Sequence, residues 1–260
     1  MSIKVTILGC GPAGGVPSIS EGWGNCDSTN AKNHRRRASI LIQDGHSTVL
    51  VDTSPDLRIQ MLDAKINKLD GVVFTHSHAD HIHGLDELRE INRVIRGPLD
   101  VFADTETLRA LETRFAYAFE GIPPGKPMYK PWLIAHAIGD TNPQTFMVKT
   151  LQVKAFQQDH GFSTSLGLRF GDVVYSTDLV RLPDAAKDVV RDAKVWIVGA
   201  IGLTPHPTHA HLDQILTWVE ELKPRRTIIT HMGPQLDYDT VNARCPVGVT
   251  AAYDGMILEA

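Results

Sequence analysis

The chain has 260 residues, and its 26 lysines and arginines against 30 aspartates and glutamates give a formal charge of −4. That balance argues against a strongly basic nucleic-acid binder, because no net positive field gathers phosphates. With 42% hydrophobic and 22% charged residues, the chain has the apolar material for a core, which excludes disorder as its main state.

In chain order, Ile3 to Leu8 is a β-rich run that ends in the glycine-rich segment Gly9-Cys10-Gly11-Pro12-Ala13-Gly14-Gly15-Val16-Pro17. Ala38 to Ile42 and Thr48 to Asp52 read as a hairpin around Asp44-Gly45. Ser54-Pro55 reads as a helix start, Ser at the cap and Pro in the first turn, with Leu57, Met61 and Leu62 as the apolar face. Gly71 to Thr75 is a buried strand. Leu85 to Ile95 is an amphipathic helix with Leu85, Leu88, Val94 and Ile95 turned inward. Leu99 to Ala103 is a strand, Asp104 to Phe115 a helix, and the Pro-rich stretch Gly121 to Pro131 a surface excursion. Strands follow at Leu133 to Ile138, Phe146 to Phe156, Ser165 to Phe170, Val173 to Thr177, Val195 to Val198 and Thr227 to Thr230, with helices at Pro183 to Arg191 and Leu212 to Leu222. The economical reading is one α/β domain with sheets inside and helices outside.

No run reaches the roughly 20 apolar residues a spanning helix needs. Met1 to Val5 reads as a strand start rather than a secretory signal. Cys10, Cys26 and Cys245 are scattered and odd in number, so no disulfide framework is expected, and a reducing cytoplasm is the expected location.

Histidine carries the chemistry. Four of the 12 histidines fall between His76 and His83. A lone His-x-His is commonplace in a polar loop. Here His76, His78, Asp80 and His81 fill four of six positions directly after a hydrophobic strand. On an extended segment His76 and His78 point to one side, and the turn into a helix aims Asp80 and His81 at a second point nearby. Imidazole with carboxylate suits zinc, manganese or iron, and no thiolate is present to select a softer ion. Two ions need about three protein ligands each, so further ligands are expected at other strand ends. His160, Asp178 and His231 each follow a strand run.

The motif Thr75-His76-x-His78-x-Asp80-His81, followed in order by His160, Asp178 and His231, resembles the metallo-β-lactamase superfamily. The resemblance implies a four-layer αββα sandwich in a single domain spanning residues 1–260. It implies two divalent metal ions, one on His76, His78 and His160 and one on Asp80, His81 and His231, bridged by Asp178. Asp52, at the end of its strand, matches the carboxylate that orients a ligand histidine.

The glycine-rich start, Asn33-His34-Arg35-Arg36-Arg37-Ala38-Ser39, His209-x-x-Leu212 and Tyr253-Asp254-Gly255-Met256 resemble PhnP-type phosphodiesterases. That implies a hydrolase opening cyclic ribose phosphates, or related nucleotide-like phosphoesters, with metal-activated water. His209 and Asp80 are the catalytic candidates, with His206 and His211 competing with His209 as proton donor. The clustered cysteines of a structural zinc and a second histidine after His231 are missing. His34 and the run Arg35 to Arg37 could pair with phosphate, although most of the run reads as a solvated loop. His83 could support the site from outside or lie on a helix surface. Tyr117, Phe119 and Trp132 could stack a base or form a lid but read more simply as core or interface. The expected partner is a small phosphoester, with no membrane and no long nucleic acid; a homodimer is compatible with the resemblance. A lactonase, a thioesterase and a tRNA 3′-processing nuclease are the alternatives on the same scaffold.

Overall fold

In the computed structural model, which describes residues 2–139 and 141–260, the strands form two seven-stranded sheets. The first takes β1 (Lys4–Gly9), β2 (Ser39–Gln43), β3 (Thr48–Val51), β4 (Gly71–Val73), β5 (Leu99–Ala103) and β6 (Leu133–Ala137). The second takes β7 (Gln144–Val148), β8 (Leu151–Asp159), β9 (Thr164–Phe170), β10 (Val173–Ser176), β11 (Val195–Gly199), β12 (Arg226–Thr230) and β13 (Val249–Ala251). β14 (Ile257–Glu259) returns to pair antiparallel with β1. The orders are β14-β1-β2-β3-β4-β5-β6 and β13-β12-β11-β10-β9-β8-β7.

Side-chain alternation explains the layering. In β2, Ile40 and Ile42 enter the core between the sheets, while Leu41 faces the outer helices. In β11, Val195 and Ile197 point inward, and Trp196 and Val198 outward. Strands covered on both faces read as continuous apolar runs. The first sheet is flanked by α1 (Leu57–Asp63), α2 (Ala79–Ile82), α3 (Leu88–Ile95), α4 (Thr105–Arg114) and α5 (Ala116–Phe119). The second is flanked by α6 (Asp184–Val190), α7 (Leu212–Leu222) and α8 (Tyr238–Arg244). This is the expected αββα sandwich. Among the described residues, no helix is long and apolar enough to cross a membrane.

Strand direction positions the site. β3 runs parallel to β4, and β10 to β11 and β12, so their carboxyl ends gather at one end of each sheet. Ligands bind at such carboxyl ends in α/β folds. There the backbone N–H of Leu166 donates to the carbonyl of Thr75 at 2.9 Å, stitching one sheet to the other.

Several local expectations need correction. The helix expected from Ser54-Pro55 starts at Leu57, because Ser54 Oγ instead accepts from the backbone of Asp56 in a turn. Leu62 is 58% exposed, since the buried face of α1 is Leu57, Gln60 and Met61 and Leu62 falls outside it. In α3 the inward face is Leu88, Ile91 and Asn92, and Val94 is 49% exposed. Asn92 holds its buried position by donating to the Gly97 and Trp132 carbonyls and accepting from Trp132 N–H. The single strand expected over Phe146 to Phe156 is a hairpin, β7 and β8, turning at Lys149 with φ 54°. α8, β13 and β14 had no clear signal in the sequence.

Gly84, just after α2, packs its backbone on the chain at Ser54, where an added Cβ would collide with the Ser54 carbonyl oxygen. Gly84→Ala is expected to lower stability by about 1–3 kcal/mol through overpacking, read as a shifted midpoint in urea unfolding.

Candidate metal centre

The histidine motif begins where β4 ends. Thr75 and His76 continue the strand direction, and His78 occupies the N-cap of α2, whose single turn carries Asp80 and His81. His76 and His78 lie edge to face, with ring centroids 4.6 Å apart. His160 follows β8, Asp178 follows β10 and His231 follows β12.

The structure brings all seven residues together as two groups. Ligand atoms of His76, His78, His160 and Asp178 lie within 4.8 Å of one another, and so do those of Asp80, His81, Asp178 and His231. Asp178 belongs to both. Its carboxylate is 3.7 Å from His76 Nε2 and from His160 Nε2, 3.4 Å from His81 Nε2 and 3.3 Å from His231 Nδ1. Asp52, Asp178 and His231 have φ of 63°, 48° and 53°. Such left-handed backbone costs about 1–3 kcal/mol at a non-glycine residue and clusters at functional sites. Here it turns each side chain sharply off its strand.

The donor set fits divalent cations. His76 Nε2, Asp80 Oδ2, His81 Nε2 and His231 Nδ1 are buried without a hydrogen-bond partner. Leaving a buried polar atom unpaired costs about 1–3 kcal/mol, so four orphans aimed at two common points make an unstable arrangement unless cations complete it. His160 Nε2 and His78 Nδ1 also face each other at 3.2 Å. Burial, then the neighbouring His81, holds His76 well below the usual imidazole range, and burial with His160 lowers His78. Both are therefore in the neutral form that binds metal. Burial opposes charge on Asp178, but His231 and His81 outweigh it and hold its carboxyl well below the usual range. Asp80 is lowered likewise, against burial, by His81. Burial works against His81 too, yet Asp80, Asp178 and Asp52 raise it well above the usual range.

Outer contacts orient the ligands. Asp52 Oδ2 meets His81 Nδ1 at 2.7 Å, while its two oxygens accept from the N–H and hydroxyl of Thr75 at 2.8 Å each. This turns His81 Nε2 toward the cluster. Thr75 Oγ1 lies 3.0 Å from His76 Nδ1. His160 Nδ1 donates to the Thr208 carbonyl at 2.7 Å. The roles of Thr75 and Thr208 had no separate signal in the sequence, since hydroxyl and backbone groups are ubiquitous.

His209 lies against the cluster, its ring stacked on His231 at 5.1 Å and its Nδ1 3.9 Å from Asp178. Burial, reinforced by His231, lowers its pKa to about 3. His206 lines the cleft, its Nδ1 accepting from Thr208 N–H at 3.3 Å. His211 is the N-cap residue of α7 and makes no side-chain cap bond. The cleft over the cluster holds about 360 Å³ and is lined by Gly14, Ser18, Glu21, Thr204, His206 and Gln235.

The arginine run does not reach this cleft. Arg35 is buried and donates to backbone carbonyls, Arg36 pairs with Asp63 at 2.6 Å, and Arg37 pairs with Asp56 at 2.7 Å. The solvated-loop expectation is corrected for Arg35 as well. His34 lies edge-on to Trp23. His83 is exposed and packs on Phe115. Tyr117 donates to Asp86 at 2.6 Å, and Phe119 packs on the outer helix layer. Neither they nor Trp132 line the cleft.

A family model described as the beta-lactamase superfamily domain matches residues 47–232. The chain belongs to the β-lactamase superfamily. Within this family of metallo-β-lactamase-fold hydrolases it is similar to a crystal structure described as a new diphosphatase from the PhnP family, at 32% identity and a TM-score of 0.88 over 100% of this chain and 98% of that one. It is 27% identical to an octanoyltransferase of Porphyromonas gingivalis over 98% of its own length and 51% of the relative's, so it spans about half of that protein. It is also 27% identical to the anti-Pycsar protein Apyc1 of Paenibacillus harenae, over 81% of this chain and 88% of that one.

Asp52→Asn keeps the shape and tolerates the left-handed backbone, but puts an amide where His81 and Thr75 need a carboxylate. It is expected to weaken metal binding by about 10–100-fold, measured by zinc titration against a chromophoric chelator.

Proposed function

We propose that this superfamily member is a binuclear metal-dependent phosphodiesterase, acting as one unit over residues 1–260 in a reducing cytoplasm, on small cyclic ribose phosphates or related nucleotide-like phosphoesters. The observation that carries the reading is Asp178 shared between two complete ligand groups. His76, His78 and His160 would hold one divalent ion, Asp80, His81 and His231 the other, with Asp178 between them. Zinc or manganese suits this donor set, and iron is compatible. When bound, such a pair supplies a water of lowered pKa and offsets charge on phosphoryl oxygens.

The remaining work belongs to the chain's own residues. His209 is neutral in the free site and offers an N–H to a phosphoryl oxygen. The same N–H suits it to hydrogen-bond the leaving oxygen as negative charge develops there. Asp80 ties the second ion to the floor of the cleft. Among the described residues lining the cleft none is lysine or arginine, and Glu21 adds negative charge. That lining suits a small ester carrying one charge and disfavours a long polyanion such as tRNA. The PhnP-family diphosphatase, similar over the full length of both chains, supports phosphorus chemistry. The acyl-transfer name of the Porphyromonas relative favours a thioesterase as the second reading.

A panel of bis(p-nitrophenyl) phosphate, 2′,3′-cyclic nucleotides, lactones and acyl thioesters, assayed with zinc or manganese, separates the two. Turnover of the phosphodiesters is expected. Turnover of thioesters alone sinks the phosphodiesterase assignment. His209→Ala is expected to lower kcat on the best diester by about 10²–10⁴-fold with metal content intact; an unchanged kcat removes His209 from the mechanism.

A further inference from the structure

Three sequence motifs are left over once the ligands are assigned: the glycine-rich start, the arginine run and Tyr253-Asp254-Gly255-Met256. They converge on a single element, the turn of residues 231–236 that follows β12 and carries His231.

Arg35 is the centre of this convergence. It is 2% exposed. Its Nη1 donates to the carbonyls of Met232 and Gly233 at 3.3 and 3.2 Å, and its Nη2 donates to the Leu236 carbonyl at 2.6 Å. Nη2 also donates to Asn33 Oδ1 at 2.9 Å, and that oxygen accepts the Tyr238 N–H as well. The guanidinium thus grips both limbs of the turn, which a planar fork of donors can do and a single ammonium cannot. Its own backbone is paired both ways with Val16, at the end of the glycine-rich segment.

Asp254 acts from the other side. Its two oxygens accept from Cys10 N–H at 3.0 Å and Arg36 N–H at 2.8 Å. The Cys10 carbonyl then accepts from Met232 N–H at 2.9 Å. Met232, the residue after His231, is therefore fixed at both its N–H and its carbonyl. Gly11, where a Cβ would lie 2.8 Å from the Arg35 carbonyl oxygen, allows the segment to approach this closely. Burial pushes the Asp254 carboxyl up to about 6, a cost set against these bonds. The left-handed φ of His231 is likewise held by its surroundings.

We propose that Arg35 and Asp254 are positioning residues for His231, a clamp built jointly by residues 10–36 and the turn at Asp254 that sets the second cation group, Asp80, His81 and His231. One part of each leftover motif, Cys10 with Gly11, Arg35 and Asp254, then belongs to one device. The first group's own ligands, His76, His78 and His160, lie on other elements, and the clamp does not touch them. This inference rests on the two-cation reading above.

The test is stepwise zinc binding to the full chain by equilibrium dialysis, with the tighter and weaker steps assigned by His160→Ala and His231→Ala. Arg35→Met and Asp254→Asn are expected to weaken the His231 step by about 10–100-fold and to leave the His160 step within about twofold, the larger change marking a lost orienting partner. Arg35→Lys, which keeps the charge but loses the fork, is expected to fall between wild type and Arg35→Met. Equal weakening of both steps, or of neither, in a folded variant overturns the clamp, because general destabilisation favours no step. Should Arg35→Met fail to fold, Arg35→Lys and Asp254→Asn are judged by the same criterion. A wild-type chain that binds a single zinc sinks the two-cation reading instead, so the two failures are told apart.

Discussion

A buried carboxylate, that of Asp178 after β10, faces imidazoles delivered by three other strand ends. The rest of the molecule can be understood as what makes that encounter tolerable. Buried polar atoms without partners are costly, and here several of them point at the same two places. Hydrogen bonding within the protein does not remove the cost, because the facing nitrogens and oxygens are too few in donors and wrongly directed. Divalent cations bound there would remove it. The neutral states of His76 and His78 and the ionised state of Asp178 are those a cation requires.

Two sheets are needed to assemble such a site. The motif from Thr75 to His81 leaves the first sheet, while His160, Asp178 and His231 leave the second. Neither sheet supplies a complete ligand group. The sandwich core, made from alternate residues such as Ile40, Ile42, Val195 and Ile197, fixes the distance between them. The Leu166–Thr75 backbone bond ties the sheets together at the point where the site forms. Left-handed residues at Asp52, Asp178 and His231 make the last turn from strand to site. A rigid frame thus bears strain at a few positions, and the bonds around Met232 and His81 hold it there.

The cleft above this frame is lined without lysine or arginine among the described residues. Its walls come from the glycine-rich segment, with Ser18 and Glu21, and from the loops bearing Thr204, His206 and Gln235. Positive charge would therefore have to come from cations held on the floor. The arginines that a sequence reader would assign to phosphate are spent elsewhere, on carbonyls for Arg35 and on Asp63 and Asp56 for Arg36 and Arg37. Charge in a sequence reports what a side chain carries, and burial decides what it meets.

The strands with two covered faces were legible because continuous apolar runs such as Val195 to Val198 have few other uses. The dense motif from His76 to His81 was legible because close spacing ties chemistry to local geometry. Helix faces were less so: Val94 and Leu62 are exposed because helix length and phase are settled by packing, and Asn92 is buried because partners across a loop satisfy it. The hairpin at Lys149 hid inside a uniform β-rich run. By itself, the sequence determined the alternation of strands and helices and the kinds of ligand on offer. Only the tertiary structure decided that Asp178 stands between both groups, that Arg35 turns inward and that His209, rather than His211, faces the cluster. Those facts depend on distances between residues far apart in the chain, and such distances exist only once two sheets have closed on a common core.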